Sequence, residues 1–376
     1  VVIIGGGASG IVAAIEAKKQ YENVAIIEKE SRIGKKILAT GNGKCNMTNI
    51  GAKIKDYHGS FSYGIKNLFS EYSPKYIVNY FNSMGLYTFA DNCGRLYQDD
   101  IEVYTDCRVT DISVGETFEI KTNLYKFSCE KLIIATGGKS SPNLGSDGSM
   151  YSLVENLGHT ITKLKPALCP INVKSDILKT IKGVRADGKV SVMKKGKVVK
   201  SDSGEIQFTG ESISGICAFN LSYLDYDTVR VSLMPDYSKN EIIDILKERR
   251  TLFKDNSIED FFLGMFNNKL SVALLKVGKM GSFNRKCNDI SNKEIENLAR
   301  LINEFDFVTT GKNDYSKSQV TCGGVSGKEI NTNTLESLYI PNLYFCGEII
   351  DIDGICGGYN LQFAFASGMK AGALEW

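Results

Sequence analysis

Apolar runs without polar interruption alternate with glycine-rich punctuation at both ends of the chain. Val1–Gly5 and Val24–Glu28 are apolar on both faces, the texture of strands covered on both sides in a parallel sheet. Between them Ala8–Gln20 is rich in Ala and Ile with no breaker, so the chain opens as strand, helix, strand. Lys29–Gly51 shows no periodicity and reads as a Gly/Lys/Asn-rich loop. Ser73 and Pro74 supply an N-cap and a first-turn proline for a helix that Gly85 ends. Residues 102–129 alternate as short strands and close into the apolar strand Lys131–Thr136; a helix over Ser149–Asn156 follows and stops before Gly158.

The texture changes at Pro166. Short strands near 168–174, 189–194, 197–201 and 229–233 are separated by turn residues, and 239–304 is mostly helical, with amphipathic stretches at 239–253 and 291–304. After Gln319 strand texture returns, ending in Asn342–Cys346, a Gly-rich turn and a helix over Asn360–Ala373. The expected organisation is a discontinuous nucleotide domain, residues 1–165 and 319–376. It is interrupted by a β subdomain over 166–236 and a helical subdomain over 237–318.

Gly5-Gly6-Gly7-Ala8-Ser9-Gly10 is a G-x-G-x-x-G turn set between a strand and a helix. In that arrangement Gly5 permits the tight turn, Gly7 lets a pyrophosphate approach the backbone and Gly10 lets helix and strand pack closely. The helix start, with Ala8 and Ser9, offers free N–H groups and about half a positive charge to the phosphates. Glu28 ends the second strand, placed for ribose hydroxyls, and an acid here disfavours a 2′-phosphate. Two further strand ends carry small residues or an acid. Ala135-Thr136-Gly137 lets the chain pass close to a cofactor, and Gly347-Glu348 brings a carboxylate to the ribityl chain of a flavin. The Lys35–Asn49 loop, with Lys36, Gly41, Asn42, Gly43, Cys45 and Asn46, suits a backbone wrapped around an anionic ligand. Cys45 reads first as a packing thiol. In Gly354–Asn360 the glycines, Gly358 among them, let the turn approach the flavin, and the N–H groups of Asn360, Leu361 and Gln362 face its pyrimidine end. Lys29 and Val109 complete the set of expected cofactor contacts.

Composition narrows the classes. With 45 basic and 43 acidic side chains there is no global pull toward nucleic acid or anionic lipid. No apolar run reaches the roughly 18 residues of a membrane span, and no basic, signal-like segment precedes the first strand. Ten cysteines contain no C-x-x-C pair, which suits buried thiols in a reducing cytoplasm. With only two histidines, no metal site is expected.

Taken together, Gly5–Gly10, Arg32–Asn49 (with its Gly41-Asn42-Gly43-Lys44-Cys45-Asn46 core) and Asp351–Gly358 resemble the BaiN/RdsA-type bacterial flavoproteins, also described as aminoacetone-oxidase-like FAD-binding enzymes. Gly145–Gly148, Phe208–Gly210, Ile213–Gly215 and Gln319–Val325 extend the resemblance over essentially the whole chain. It implies an α/β fold: a split Rossmann-like FAD-binding domain with an inserted β-barrel-like subdomain and a helical subdomain. The family has Arg where Lys44 stands, and carries a further segment after Tyr97.

The expected function is that of an FAD-dependent oxidoreductase, with non-covalent FAD passing two electrons between a small organic substrate and NAD(P)H or another acceptor. A single G-x-G-x-x-G leaves nicotinamide a transient visitor. The alternatives are an oxidase that uses oxygen and a flavin-bound RNA-binding or redox-sensing protein. No catalytic base stands out. The expected setting is cytoplasmic, as a monomer or small homo-oligomer with a small-molecule substrate and neither nucleic acid nor membrane as partner.

Overall fold

A computed structural model describes residues 1–39, 45–86, 101–311 and 313–374. The chain divides into two compact units, Val1–Ala167 with Tyr315–Trp376, and Leu168–Asp314.

The first unit is organised by five short strands: β1 (Val2–Ile4), β2 (Ala25–Ile27), β3 (Glu102–Tyr104), β4 (Leu132–Ile134) and β5 (Leu343–Phe345). They form one parallel sheet in the order β5-β4-β1-β2-β3. The uninterrupted apolar runs follow from this placement, since Val2–Ile4, Leu132–Ile134 and Leu343–Phe345 are buried throughout. Two helices cross beside the sheet at backbone distance: α1 (Ala8–Lys18) and α2 (Tyr359–Ala373). A Cβ on Gly368 would overlap the carbonyl of Ser9, and one on Gly372 the carbonyl of Ala13. Three antiparallel strands, Val109–Val114, Phe118–Thr122 and Lys126–Cys129, form a separate ribbon. Phe118 and Ile120 are buried while Glu119 and Lys121 are exposed, the alternation of a half-covered sheet.

In the first unit two helices escape the sequence reading. Lys35–Leu38 sits inside the stretch expected to be loop, and Ile65–Glu71 buries Ile65 and Leu68. Both are too short for an apolar period to show in sequence. The expectations at Gly41, Asn42 and Gly43, and after Tyr97, fall outside the described residues.

The second unit contains a closed six-stranded barrel, in the order Ile171–Lys174, Ser212–Ser214, Lys197–Phe208, Arg185–Lys194, Thr228–Ser232, Phe305–Thr309. The hairpin turn at Lys195-Gly196 has positive φ at both residues (50° and 75°), as a two-residue turn matching strand twist requires. The strand after it runs from Lys197 through Phe208, well beyond the 197–201 expected, because Asp202-Ser203-Gly204-Glu205 offers no apolar position before buried Ile206 and Phe208. Helices Lys239–Leu252 and Asn292–Asn303 open on capping boxes, Ser238 with Glu241 and Ser291 with Glu294. The second buries Ile295, Leu298, Ala299, Leu301 and Ile302 along one face.

The α1–α2 crossing yields a stability test. Gly368→Val forces a side chain into the Ser9 carbonyl and is expected to cost about 2–3 kcal/mol, read by denaturant unfolding. Wild-type stability in this variant would mean that the helices do not cross this closely.

Candidate functional site

Three of the four glycines of the first turn are required for different reasons. Gly5 has φ +103°, and its N–H donates to the Ile27 carbonyl at 2.8 Å; a Cβ there would meet the Ala135 carbonyl oxygen at 2.6 Å. A Cβ on Gly10 would overlap the Gly5 carbonyl. The chain's own packing therefore demands these two. Around Gly7 a Cβ would meet no protein atom within 4 Å. Gly7 is also the N-cap of α1, with no capping side chain and no acidic residue in the first turn. The helix start is thus an open cradle whose partial positive charge the described chain leaves unanswered, a fit for a phosphate.

Glu28 stands beside the cradle, beyond the end of β2. Its Oε2 accepts from the Gly6 N–H at 2.7 Å and its Oε1 from the Glu30 N–H at 2.9 Å. Two backbone donors fix the carboxylate and leave lone pairs for hydroxyls. Lys29 is engaged elsewhere: its Nζ lies 2.6 Å from Asp147, which Arg108 also contacts at 3.1 Å. Burial pushes the Asp147 carboxyl up, but hydrogen bonds from Lys29 and Ser149 outweigh it and hold the group well below the usual carboxylate range. Val109, next to Arg108, starts the antiparallel ribbon and is half-buried.

The second wall is built from chain segments far apart in sequence. β4 runs out into buried Ala135, then Thr136, whose Oγ1 is buried with no hydrogen-bond partner among the described residues. Gly137 follows with φ +70°. At Gly138 a Cβ would meet Glu348 Oε1 at 2.7 Å and would overlap Thr321 Oγ1. Glu348 itself is held on both oxygens: Oε1 accepts from the Thr321 N–H at 2.8 Å, and Oε2 from Lys36 Nζ at 3.1 Å. Lys36 also donates to the Ser140 carbonyl at 3.1 Å. Two expected contacts, Lys36 and Glu348, are therefore one ion pair. Thr321, which the sequence reading left without a role, joins them: its Oγ1 accepts from the N–H groups of Lys139 (2.8 Å) and Ser140 (3.0 Å). Gly347 has φ +75°, and its N–H donates to Ser367 Oγ at 2.9 Å; Ser9 Oγ approaches the Cys346 carbonyl at 3.4 Å. The first and last cofactor motifs are thereby tied together.

The third wall is the start of α2. Gly358, with φ +92°, is its N-cap and packs on the Thr48 carbonyl and Asn46 Oδ1. Asn49 Nδ2 donates to the Gly357 carbonyl at 2.9 Å. Two expected contacts turn their side chains inward. The Asn360 amide accepts from the Gly354 N–H at 2.8 Å and donates to the Gly354 carbonyl at 2.9 Å. Gln362 is fully buried, donating to the Tyr72 carbonyl at 2.9 Å and meeting Thr48 Oγ1. These amides hold the turn, the Gln362 N–H closes the first helical turn on the Gly358 carbonyl at 3.0 Å, and Leu361 is half-buried. Cys45, half-buried, opens the described part of the neighbouring loop. Among the described residues no group of three metal-ligating side chains converges.

The chain matches the family described as HI0933-like protein Rossmann domain over residues 1–102 and 95–374. It is 34% identical to a 3-dehydro-bile acid delta(4,6)-reductase of Clostridium scindens, over 98% of this chain and 97% of that one. It is 26% identical to ribosomal RNA dihydrouridine synthases of Escherichia coli (97% of this chain, 95% of that one) and Haemophilus influenzae (97% and 96%).

Two outcomes follow from the site's geometry. Gly7→Val should fold, since a Cβ there meets no protein atom within 4 Å, yet copurify without dinucleotide; a folded variant retaining one FAD per chain would place the phosphates elsewhere. Asp147→Asn should lower the melting temperature at pH 7. Because folded Asp147 binds its proton less tightly than an unfolded aspartate, its contribution is complete above the ordinary carboxylate range. The gap from wild type should therefore close as pH falls below about 4.

Proposed function

The chain belongs to the HI0933-like Rossmann family, and from that premise we propose that it is an FAD-dependent oxidoreductase that saturates a carbon–carbon double bond conjugated to a carbonyl, with reduced nicotinamide as the electron source. The observation that carries the reading is the open cradle at Gly7, flanked by a carboxylate held ready for hydroxyls at Glu28. A pyrophosphate at the cradle, an adenosine ribose at Glu28 and a ribityl chain near Glu348 and the unsatisfied Thr136 hydroxyl account together for all four features. FAD would supply two-electron chemistry delivered as hydride. The chain's own residues position it. Gly5–Gly10 would receive the phosphates, Lys36 and Thr321 orient Glu348, and Asn360 braces the turn at Gly354 so that the start of α2 would meet the pyrimidine end. That helix start favours the negative charge of reduced flavin there.

The substrate class is supported by what the named relatives have in common. A 4,6-unsaturated 3-oxo bile acid and a uridine both present a C=C bond conjugated to a carbonyl, and each relative's name describes its saturation or the saturated product. No helix among the described residues is long and apolar enough to cross a membrane.

The holoenzyme should release FAD, not FMN, on acid treatment, and anaerobic NADH or NADPH should bleach it. Adding a 4-ene-3-ketosteroid should then restore the oxidised spectrum with formation of the saturated ketone. Reoxidation by oxygen but by no enone would identify an oxidase instead.

A further inference from the structure

His159 follows the helix Met150–Asn156 and is 3% exposed, with its N–H donating to the Val154 carbonyl at 3.3 Å. Its Nε2 lies 2.8 Å from the hydroxyl of Ser337, itself buried. The lone pairs of that hydroxyl decide which way the bond runs. Ser337 Oγ already accepts from the N–H groups of Tyr339 and Ile340, both at 3.0 Å. A serine oxygen has two lone pairs, so both are taken and its own proton must go to His159. Nε2 is therefore bare. The ring's single proton sits on Nδ1, which is buried with no hydrogen-bond partner among the described residues.

Ser337 is the centre of the turn that covers the outer edge of β5. Its N–H donates to the Leu343 carbonyl at 2.7 Å, Glu336 bridges to Tyr344, and the Phe345 N–H donates to the Leu335 carbonyl at 3.0 Å. The His159 ring stands edge-on to Phe345, with centroids 5.0 Å apart, and lies 5.5 Å from the Tyr339 ring. One side-chain bond thus joins a helix end, a turn and the last strand of the parallel sheet, which runs on directly into Gly347 and Glu348.

We propose that His159 is an acid-sensitive latch: neutral, it clasps the Ser337 turn and with it β5, and a second proton at Nε2 makes it let go. The imidazolium would present an N–H to a hydroxyl with no lone pair left to receive it. That hydroxyl would also lose the acceptor of its own proton. The contact could be kept only by rotating Ser337 and releasing the Tyr339 or Ile340 N–H, which undoes the turn. The latch depends on neither cofactor nor substrate.

The acid that acts on the ring is Glu329, whose Oε2 accepts from the Thr160 N–H at 2.8 Å. Burial pulls His159 below the ordinary histidine range and outweighs the negative charge of Glu329, which favours the imidazolium. The other ionisable groups on the elements around it are Glu155, Lys328, Glu336, Tyr339 and Tyr344. Glu155 and Lys328 are exposed, and Glu336 Oε1 accepts from the Asn342 N–H at 2.6 Å. The folded chain holds this imidazole neutral where an unfolded histidine would charge. The latch is therefore whole above about pH 6.5 and weakens as pH falls below it.

Hydrogen exchange of the whole chain, read by mass spectrometry, tests this. Amides of residues 335–345 should exchange about 10-fold faster at about pH 5 than at about pH 7.5, after scaling exposure times for the chemical rate at each pH. His159→Gln offers an amide oxygen to the Ser337 hydroxyl and has no proton to gain, so its scaled exchange should be the same at both pH values. A second readout leaves His159 in place: side-chain nitrogen resonances of the isotope-labelled protein near neutral pH should show its proton on Nδ1. The chain has only two histidines, and His58→Gln tells their signals apart. The latch is refuted if wild type is equally protected at both pH values, if His159→Gln is as acid-sensitive as wild type, or if the proton is found on Nε2.

Discussion

The close approach of backbone to backbone around α1 is the constraint on which the site depends. Gly10 must lie against the Gly5 carbonyl for the helix to leave the sheet at the angle that aims its first N–H groups at the cradle. Gly368 and Gly372 bring α2 against the same helix, and Gly347 sits under the Ser9 hydroxyl. Side chains at these positions would push α1 away from α2 and from the strand end at Gly347. The glycines cost backbone entropy on folding. That cost is offset by dense apolar packing, with Ile3, Ala13, Ile133, Phe345 and Ala366 all fully buried.

Charged groups arriving from distant segments form a second tier that converts this frame into a shaped site. Lys36 and Glu348 come from opposite ends of the chain, yet meet at 3.1 Å with Thr321 completing the cluster. Lys29 and Arg108 converge on Asp147 in the same way. Each pair is only partly exposed, so its geometry matters more for holding loops in place than for net stability.

Much of this was legible in the residues. The turn Gly5–Gly10 with Glu28 after the next strand has a fixed spacing, because strand, turn and helix are all local. The Rossmann-like fold was legible for related reasons, as apolar runs and turn residues record burial and chain reversal; the inserted unit read only as short strands between turns, and its barrel was expected from the family resemblance alone. What could not be read was which polar side chains face the ligand and which face the protein. The expectation at Asn360 and Gln362 concerned backbone N–H groups and gave their amides no task, yet one amide clamps Gly354 and the other is fully buried against Tyr72 and Thr48. Their partners lie in other segments, and no local pattern encodes them. Thr321 was passed over for the same reason, since a threonine in a short strand carries no periodic signal.

The order of strands in the parallel sheet also bears on how the protein is made. β5 pairs with β4 beside the first strand of the chain, yet it is translated only after the whole of Leu168–Asp314. A nascent chain halted before residue 343 has an open edge on β4 and lacks Glu348, Gly358 and α2. The barrel unit, by contrast, has every one of its strands by Thr309. On the ribosome the inserted unit is therefore complete while its host still waits for its last strand, with an unpaired apolar edge for chaperones to guard.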